Sequence, residues 1–89
     1  MTKKEFMDMY NSGVSRGRQF MVVQIETEGN PGPEVIVNRA ENFAMKIKYY
    51  DKAYNDNMEL IKAKEAGKSI RITDLLMTNN LNDLNWFIF

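Results

Sequence analysis

The amino-acid sequence predicts a small α+β protein, a single domain over residues 1–89 in which one long helix packs on a largely antiparallel sheet. Two kinds of hydrophobic spacing carry this prediction, because apolar residues recur every third or fourth position in some segments and every second position in others. The run Gly29-Asn30-Pro31-Gly32-Pro33 separates two of the alternating segments, as expected for a hairpin turn. The predicted element order is α-β-β-α-β-β, around one modest core.

The first helix is predicted over about residues 3–11. Thr2 and Glu5 have the spacing of a capping box, in which each side chain bonds the other residue's backbone N–H. Asn11-Ser12-Gly13 is rich in residues that favour turns, and we expect it to end the helix. Between these signals lies an apolar stripe of Phe6, Met9 and Tyr10.

The hairpin joins a strand over residues 19–28 to a second strand over residues 34–37. In the first strand, Met21, Val23 and Ile25 fall on one face, while Phe20 and Val22 fall on the other. The first half of this strand is therefore apolar on both faces.

The long helix is predicted from a cap at Asn38 and Glu41 to a stop at Gly67. The turn-favouring triplet Asn55-Asp56-Asn57 is the place where this helix could break. Helical spacing of three or four gives a core stripe of Phe43, Ile47, Tyr50, Tyr54, Met58 and Ile61. A different side of the helix carries Met45, Tyr49, Ala53 and Leu60.

Two further strands are predicted, over residues 69–73 and 84–89. Ser69 to Thr73 alternates between apolar and polar side chains. Trp86-Phe87-Ile88-Phe89 has large apolar side chains on both faces of a strand, so we expect these residues to be buried in the core or against a partner chain.

Composition excludes several classes of function. The chain has neither cysteine nor histidine, which removes thiolate and imidazole metal ligands, disulfides, cysteine nucleophiles and the Ser-His-Asp triad. The prediction is a non-enzymatic protein without metal or cofactor. Twelve basic and twelve acidic side chains balance, so a charged partner must meet a local patch. We expect neither a membrane span nor a leader peptide, and therefore a cytoplasmic protein.

Two basic regions are candidate partner-binding sites. Arg16 and Arg18 flank a glycine in a predicted loop, where they could contact phosphates or carboxylates or simply be solvated. Lys46, Tyr49 and Lys52 combine bases with an aromatic ring outside the core stripe, a combination found both in protein interfaces and in single-strand binders. The acidic end of the hairpin, Glu26, Glu28 and Glu34, is the next candidate.

Residues 37–76 resemble small hypothetical proteins of bacteriophages and prophages of low-GC Gram-positive bacteria. The similarity lies in residues 38–43 and 48–55 together with the strand at 69–73. It implies an accessory factor in the host cytoplasm that binds a host or defence protein, as anti-CRISPR proteins do. We therefore predict a protein-binding module; a weak nucleic-acid-binding accessory protein is the alternative, and a self-associating structural protein ranks third. Whether the chain is a monomer or a homodimer stays open.

Overall fold

A three-stranded antiparallel sheet forms the centre of the molecule. The computed structural model describes residues 1–88, with side chains through Phe87. Strands β1 (Phe20–Thr27), β2 (Glu34–Arg39) and β3 (Ile70–Thr78) are arranged in the order β2-β1-β3. The predicted mixed α+β class is confirmed, and the hairpin lies where the turn residues place it, with Val23 opposite Ile36.

Helix α1 spans Lys3–Ser15 and is longer than the predicted 3–11. The capping box is present, with reciprocal bonds between Thr2 and Glu5. Gly13 does not end the helix, because it lies inside it and is buried against Met77 of β3. The helix ends instead at Ser15, two residues before Gly17, whose φ of +70° is the left-handed conformation that a glycine adopts most easily.

Strand β2 continues two residues beyond the predicted 34–37. Asn38, which was predicted to cap a helix, is a buried strand residue. Its side-chain amide donates to the Tyr50 hydroxyl and to the Met21 carbonyl, at 3.3 Å in each case. The prediction was wrong because the polar side chain has partners in the core that the local sequence does not reveal.

The prediction of a single long helix is also wrong. A 3₁₀ turn at Ala40–Asn42 leads into α2 (Phe43–Ala53), and a separate short helix, α3, spans Ile61–Glu65. The chain breaks at the anticipated place, because Tyr54 is extended and the Asn55 side chain accepts hydrogen bonds from the N–H groups of Asn57 and Glu59. The predicted stripe therefore does not lie on one helical face, and Ile61 is exposed.

Strand β3 runs to Thr78, well past the predicted end at residue 73. An irregularity explains the difference: Gln24 pairs with Asp74 while Ile25 pairs with Ile72, which leaves Thr73 as an extra residue. The bulge lets Ile72 and Leu75 share the core face although they are three positions apart.

The predicted fourth strand is wrong. A 3₁₀ turn at Leu81–Asp83 leads into a short helix, α4 (Leu84–Ile88). Trp86 is 87% exposed, contrary to the expected burial, and Phe87 is half-buried. The Ile88 side chain and Phe89 lie outside the described residues.

The core lies on one face of the sheet, beneath α1 and α2. Helix α1 contacts β3 and helix α2 contacts β2. The rings of Phe6 and Tyr50 meet edge to face at 5.5 Å and join the two helices. The core comprises Phe6, Met21, Val23, Ile25, Phe43, Tyr50, Tyr54, Met58, Ile72 and Leu75.

Candidate functional site

The structure separates the predicted partner-binding residues into two surfaces. Lys46, Tyr49 and Lys52 recur every three positions along α2, so they lie along one side of this helix. Arg16 and Arg18 lie in the turn that connects α1 to β1. Tyr49 and Lys52 line one cavity, Arg16 and Arg18 line another, and the two cavities share no lining residue. They are therefore treated below as separate candidate sites.

An apolar groove between α2 and α3 contains the first of these surfaces. Its volume is about 520 Å³. We call it the α2–α3 groove, and it is lined by Tyr49, Lys52, Ala53, Leu60, Ile61, Lys62 and Glu65. Ile61 and Tyr49 are large hydrophobic side chains that remain 37% and 50% exposed. Such exposed apolar surface in a concave position is typical of an interaction site.

The groove exists because the chain reverses between α2 and α3. The Asn55 N–H donates to the Glu59 carbonyl at 2.9 Å, and Met58 adopts a left-handed conformation with φ of 57° while its side chain is buried. The Leu60 N–H then bonds the Ile70 carbonyl at 2.7 Å, which attaches this segment to β3. These bonds hold α3 beside the C-terminal end of α2.

Two buried tyrosines support the Tyr49 ring. Its centroid lies 5.5 Å from that of Tyr50 and 6.2 Å from that of Tyr54, both in edge-to-face geometry. Burial, together with the nearby Tyr49 and Tyr50 phenols, raises the pKa of Tyr54 to about 12. Tyr49 is thus an exposed ring on a rigid base, so little side-chain entropy remains to be lost when a partner contacts it.

Two lysines line the groove without an ion-pair partner among residues 1–88. The ion pairs within these residues join Lys3 to Asp51, Lys4 to Asp8, Lys64 to Glu59 and Arg71 to Glu26. None of them involves Lys52 or Lys62, the two lysines of the groove lining. The groove lining itself includes one carboxylate, that of Glu65. This surface therefore has an apolar floor and a mainly basic rim.

Sequence reasoning identified Tyr49 and Lys52 as site residues and placed Ala53 and Leu60 on the same side of the helix as Tyr49, but it missed Ile61. Met45, also placed on that side, is 64% exposed and lies one helical turn before Tyr49, outside the groove lining. Leu60 and Ile61 were assigned to a continuous helix, and Ile61 to its core stripe. The Asn55-Asp56-Asn57 triplet was the available signal, since a break there removes Ile61 from the face that carries Phe43 and Tyr50.

The Arg16 and Arg18 surface is a second, shallower cavity of about 410 Å³. The backbone N–H of Arg18 donates to the Gly13 carbonyl at 3.0 Å, and that of Gly17 donates to Val14 at 3.0 Å, so this turn is the cap of α1. The cap fixes the backbone while the Arg16 side chain stays exposed. The turn thus has a structural role whether or not the arginines bind a partner.

The three carboxylates at the acidic end of the hairpin contact other residues of the same chain. Glu26 pairs with Arg71 at 3.3 Å, and the Glu28 carboxylate accepts the Ser69 N–H at 3.2 Å. Glu34 accepts from the Asn30 side chain at 2.9 Å. The first two contacts connect the hairpin to β3 and the residue before it, and the pair with Arg71 offsets one of the three negative charges.

No protein-family model, curated protein sequence or solved structure matches this chain. Among residues 1–88, no three or more carboxylates come together in an arrangement that could hold a metal ion. In the same part of the chain, no helix has the length and apolar character needed to cross a membrane.

Proposed function

We propose that this protein is a non-enzymatic protein-binding module that docks through the α2–α3 groove. The observation that carries the proposal is the half-exposed Tyr49 ring, which two buried tyrosines support at the edge of an apolar groove. Tyrosine is among the residues that contribute most to interface energies, because its large ring loses little entropy on binding.

The lining of the groove favours a partner of one kind of chemistry. Leu60 and Ile61 offer an apolar floor for one protruding apolar side chain. The lysines around it favour carboxylates on either side of that side chain, since opposite charges across an interface speed association and exclude wrong partners. The partner surface is therefore an apolar residue flanked by Asp or Glu.

The resemblance of residues 37–76 to small phage proteins supports the biological setting of the proposal. A module of this size has room for one modest core and no deep substrate cavity. It would act by occupying a surface of a host or defence protein, in the manner of an anti-CRISPR inhibitor, and would work in the cytoplasm of the host cell.

Weak binding of single-stranded nucleic acid is the second candidate. Lys46, Tyr49 and Lys52 lie along one side of α2, where bases and a ring alternate; Tyr49 and Lys52 are exposed and Lys46 is partly buried. A single ring can stack on only one base, and a few lysines release few counterions, so this binding would be weak and strongly salt-dependent.

Affinity capture from a Gram-positive bacterial lysate, with and without nuclease, separates the two functions. We expect the parent to retain a stoichiometric protein partner after nuclease treatment. Tyr49→Ala and Ile61→Ser should each lose this partner, while Val14→Ser, which changes an exposed apolar residue of α1, should keep it. Circular dichroism melts confirm that each variant is folded.

Capture that disappears with nuclease would favour the nucleic-acid function instead. In that case the double change of Lys46 and Lys52 to Ala should reduce affinity for all sequences alike and flatten the salt dependence. A captured protein that both groove variants retain would assign the interface to another surface. The Arg16 and Arg18 turn would then be tested by changing both arginines to Ala.

A further inference from the structure

The two edges of the sheet differ in whether other backbone segments pair with them. At the β3 edge, the segment that precedes α3 forms backbone bonds, from the Leu60 N–H to Ile70 and from the Ile72 N–H to Met58. At the β2 edge, no further strand or isolated bridge is present within residues 1–88. One edge is therefore partly covered and the other is open.

The open edge presents hydrogen-bonding groups in a defined pattern. The Ala40 N–H donates to the Gln19 carbonyl at 2.9 Å, so Ala40 faces β1. Residues of an antiparallel pair alternate between facing the partner strand and facing away from it. The N–H and C=O groups of Val35 and Val37, and the N–H of Arg39, therefore point outward, away from β1.

The middle of strand β2 lacks the usual protection of an edge. Natural edge strands carry lysines, a bulge or a covering segment that prevents pairing with another chain. Here the pairing with β1 is regular, and the middle of the strand is Val35-Ile36-Val37. Ile36, on the face that carries the helices, is 39% exposed and Val37, on the other face, is 42% exposed. The exposure of Ile36 shows that α2 leaves space beside this edge.

We propose that β2 pairs antiparallel with β2 of a second copy of the chain, which joins two sheets into one of six strands. A register centred on Val37 lets the two Val37 residues exchange hydrogen bonds across the two-fold axis. Each Arg39 N–H then meets the Val35 carbonyl of the other copy. A register centred on Ile36 is poorer, because it places Pro33, which has no N–H, opposite Arg39.

Charge favours a second copy as the occupant. Glu34 and Arg39 are the two charged residues of β2 and lie at opposite ends of it. Antiparallel self-pairing brings the acidic end of one strand next to the basic end of the other and keeps the two Glu34 side chains far apart, with Glu34 and Arg39 projecting from opposite faces of the sheet. Each copy uses the same edge, so the interface has two-fold symmetry and the assembly is a closed dimer. The proposal does not depend on the α2–α3 groove.

Sedimentation equilibrium of the full chain tests the proposal. We expect the parent to have twice the 10.4 kDa mass of one chain. Val37→Pro removes an outward N–H without removing a bond to β1, and Val37→Lys places two like charges at the axis; both should halve the mass. Val14→Lys, the same change at an exposed valine of α1, should remain a dimer.

Hydrogen exchange adds a readout at single amides. The Val35, Val37 and Arg39 amides should exchange more slowly as protein concentration rises, whereas the Ile36 and Asn38 amides should stay protected at all concentrations. A parent chain that sediments as a monomer throughout would overturn the proposal. A dimer that persists in folded Val37→Lys, or whose outward amides stay unprotected, would overturn it equally, since another surface would then hold it together.

Discussion

Gly13 packs against Met77 of the sheet, and Gly13→Ala should destabilise the protein. A Cβ atom built at this position would lie 2.5 Å from both Cβ and Cγ of Met77. The Met77 Cβ is fixed by the backbone of β3, so rotation of the side chain cannot relieve the contact. Helix α1 would have to move away from β3, on the side of the sheet where Phe6 packs.

Two opposing effects determine the size of the change. Alanine in place of glycine inside a helix normally stabilises it by about 1 kcal/mol. Forcing an extra methyl group into a packed core typically costs about 1–3 kcal/mol, and contact this short belongs at the upper end of that range. The net loss is therefore roughly 1–2 kcal/mol in the free energy of unfolding, which for a domain of this size lowers Tm by about 4–15 °C.

Thermal and urea unfolding, followed by circular dichroism, measure the effect. Ser12→Ala is the matched control, because Ser12 is the exposed neighbour in the same helix and should change the free energy of unfolding by less than about 0.5 kcal/mol. If Gly13→Ala melts at or above the temperature of the parent, the close packing of α1 on β3 is refuted, and helix propensity alone determines the outcome.

Three further predictions follow from individual contacts. Asn38→Ala should lower the free energy of unfolding, measured by urea titration, by about 1–3 kcal/mol, because it leaves the buried Tyr50 hydroxyl without its amide donor. Trp86→Ala should change the free energy of unfolding by less than about 0.5 kcal/mol, since the residue is 87% exposed. A larger loss would show that the Trp86 ring is buried in the folded protein. Because burial raises the pKa of Tyr54 from 10.0 to about 12, the unfolded chain ionises first, so stability should be intact below pH 10.0 and fall as pH rises through 12. Tyr54→Phe should make that loss smaller, and an unchanged pH dependence would contradict the assignment.

The first elements could be predicted because their signals are local. The bonds between Thr2 and Glu5 involve residues three positions apart, and the hairpin depends on a turn sequence between two alternating runs. The end of α1 could not be predicted in the same way. Gly13 and Gly17 both resemble helix stops, and only the position of Met77, more than sixty residues later, shows that Gly13 is needed inside the helix.

The C-terminal segment shows how local polar bonds override β propensity. Trp86, Phe87 and Ile88 favour strands, yet Asn80 accepts the Asn82 N–H and the Thr78 hydroxyl donates to Asp83 at 2.6 Å. These bonds form the 3₁₀ turn from which α4 continues.

The candidate site illustrates which part of a functional surface a sequence can reveal. Tyr49 was predictable, because its exposure follows from its angle on a regular helix, and α2 is regular from Phe43 to Ala53. Ile61 was not, because the angular argument assumes that the helix continues. The Asn55 side chain bonds two backbone N–H groups and so replaces the bonds that a continuing helix would have supplied. Ile61 then leaves the core stripe and joins Tyr49 in the groove, so the break in the helix is what creates the site.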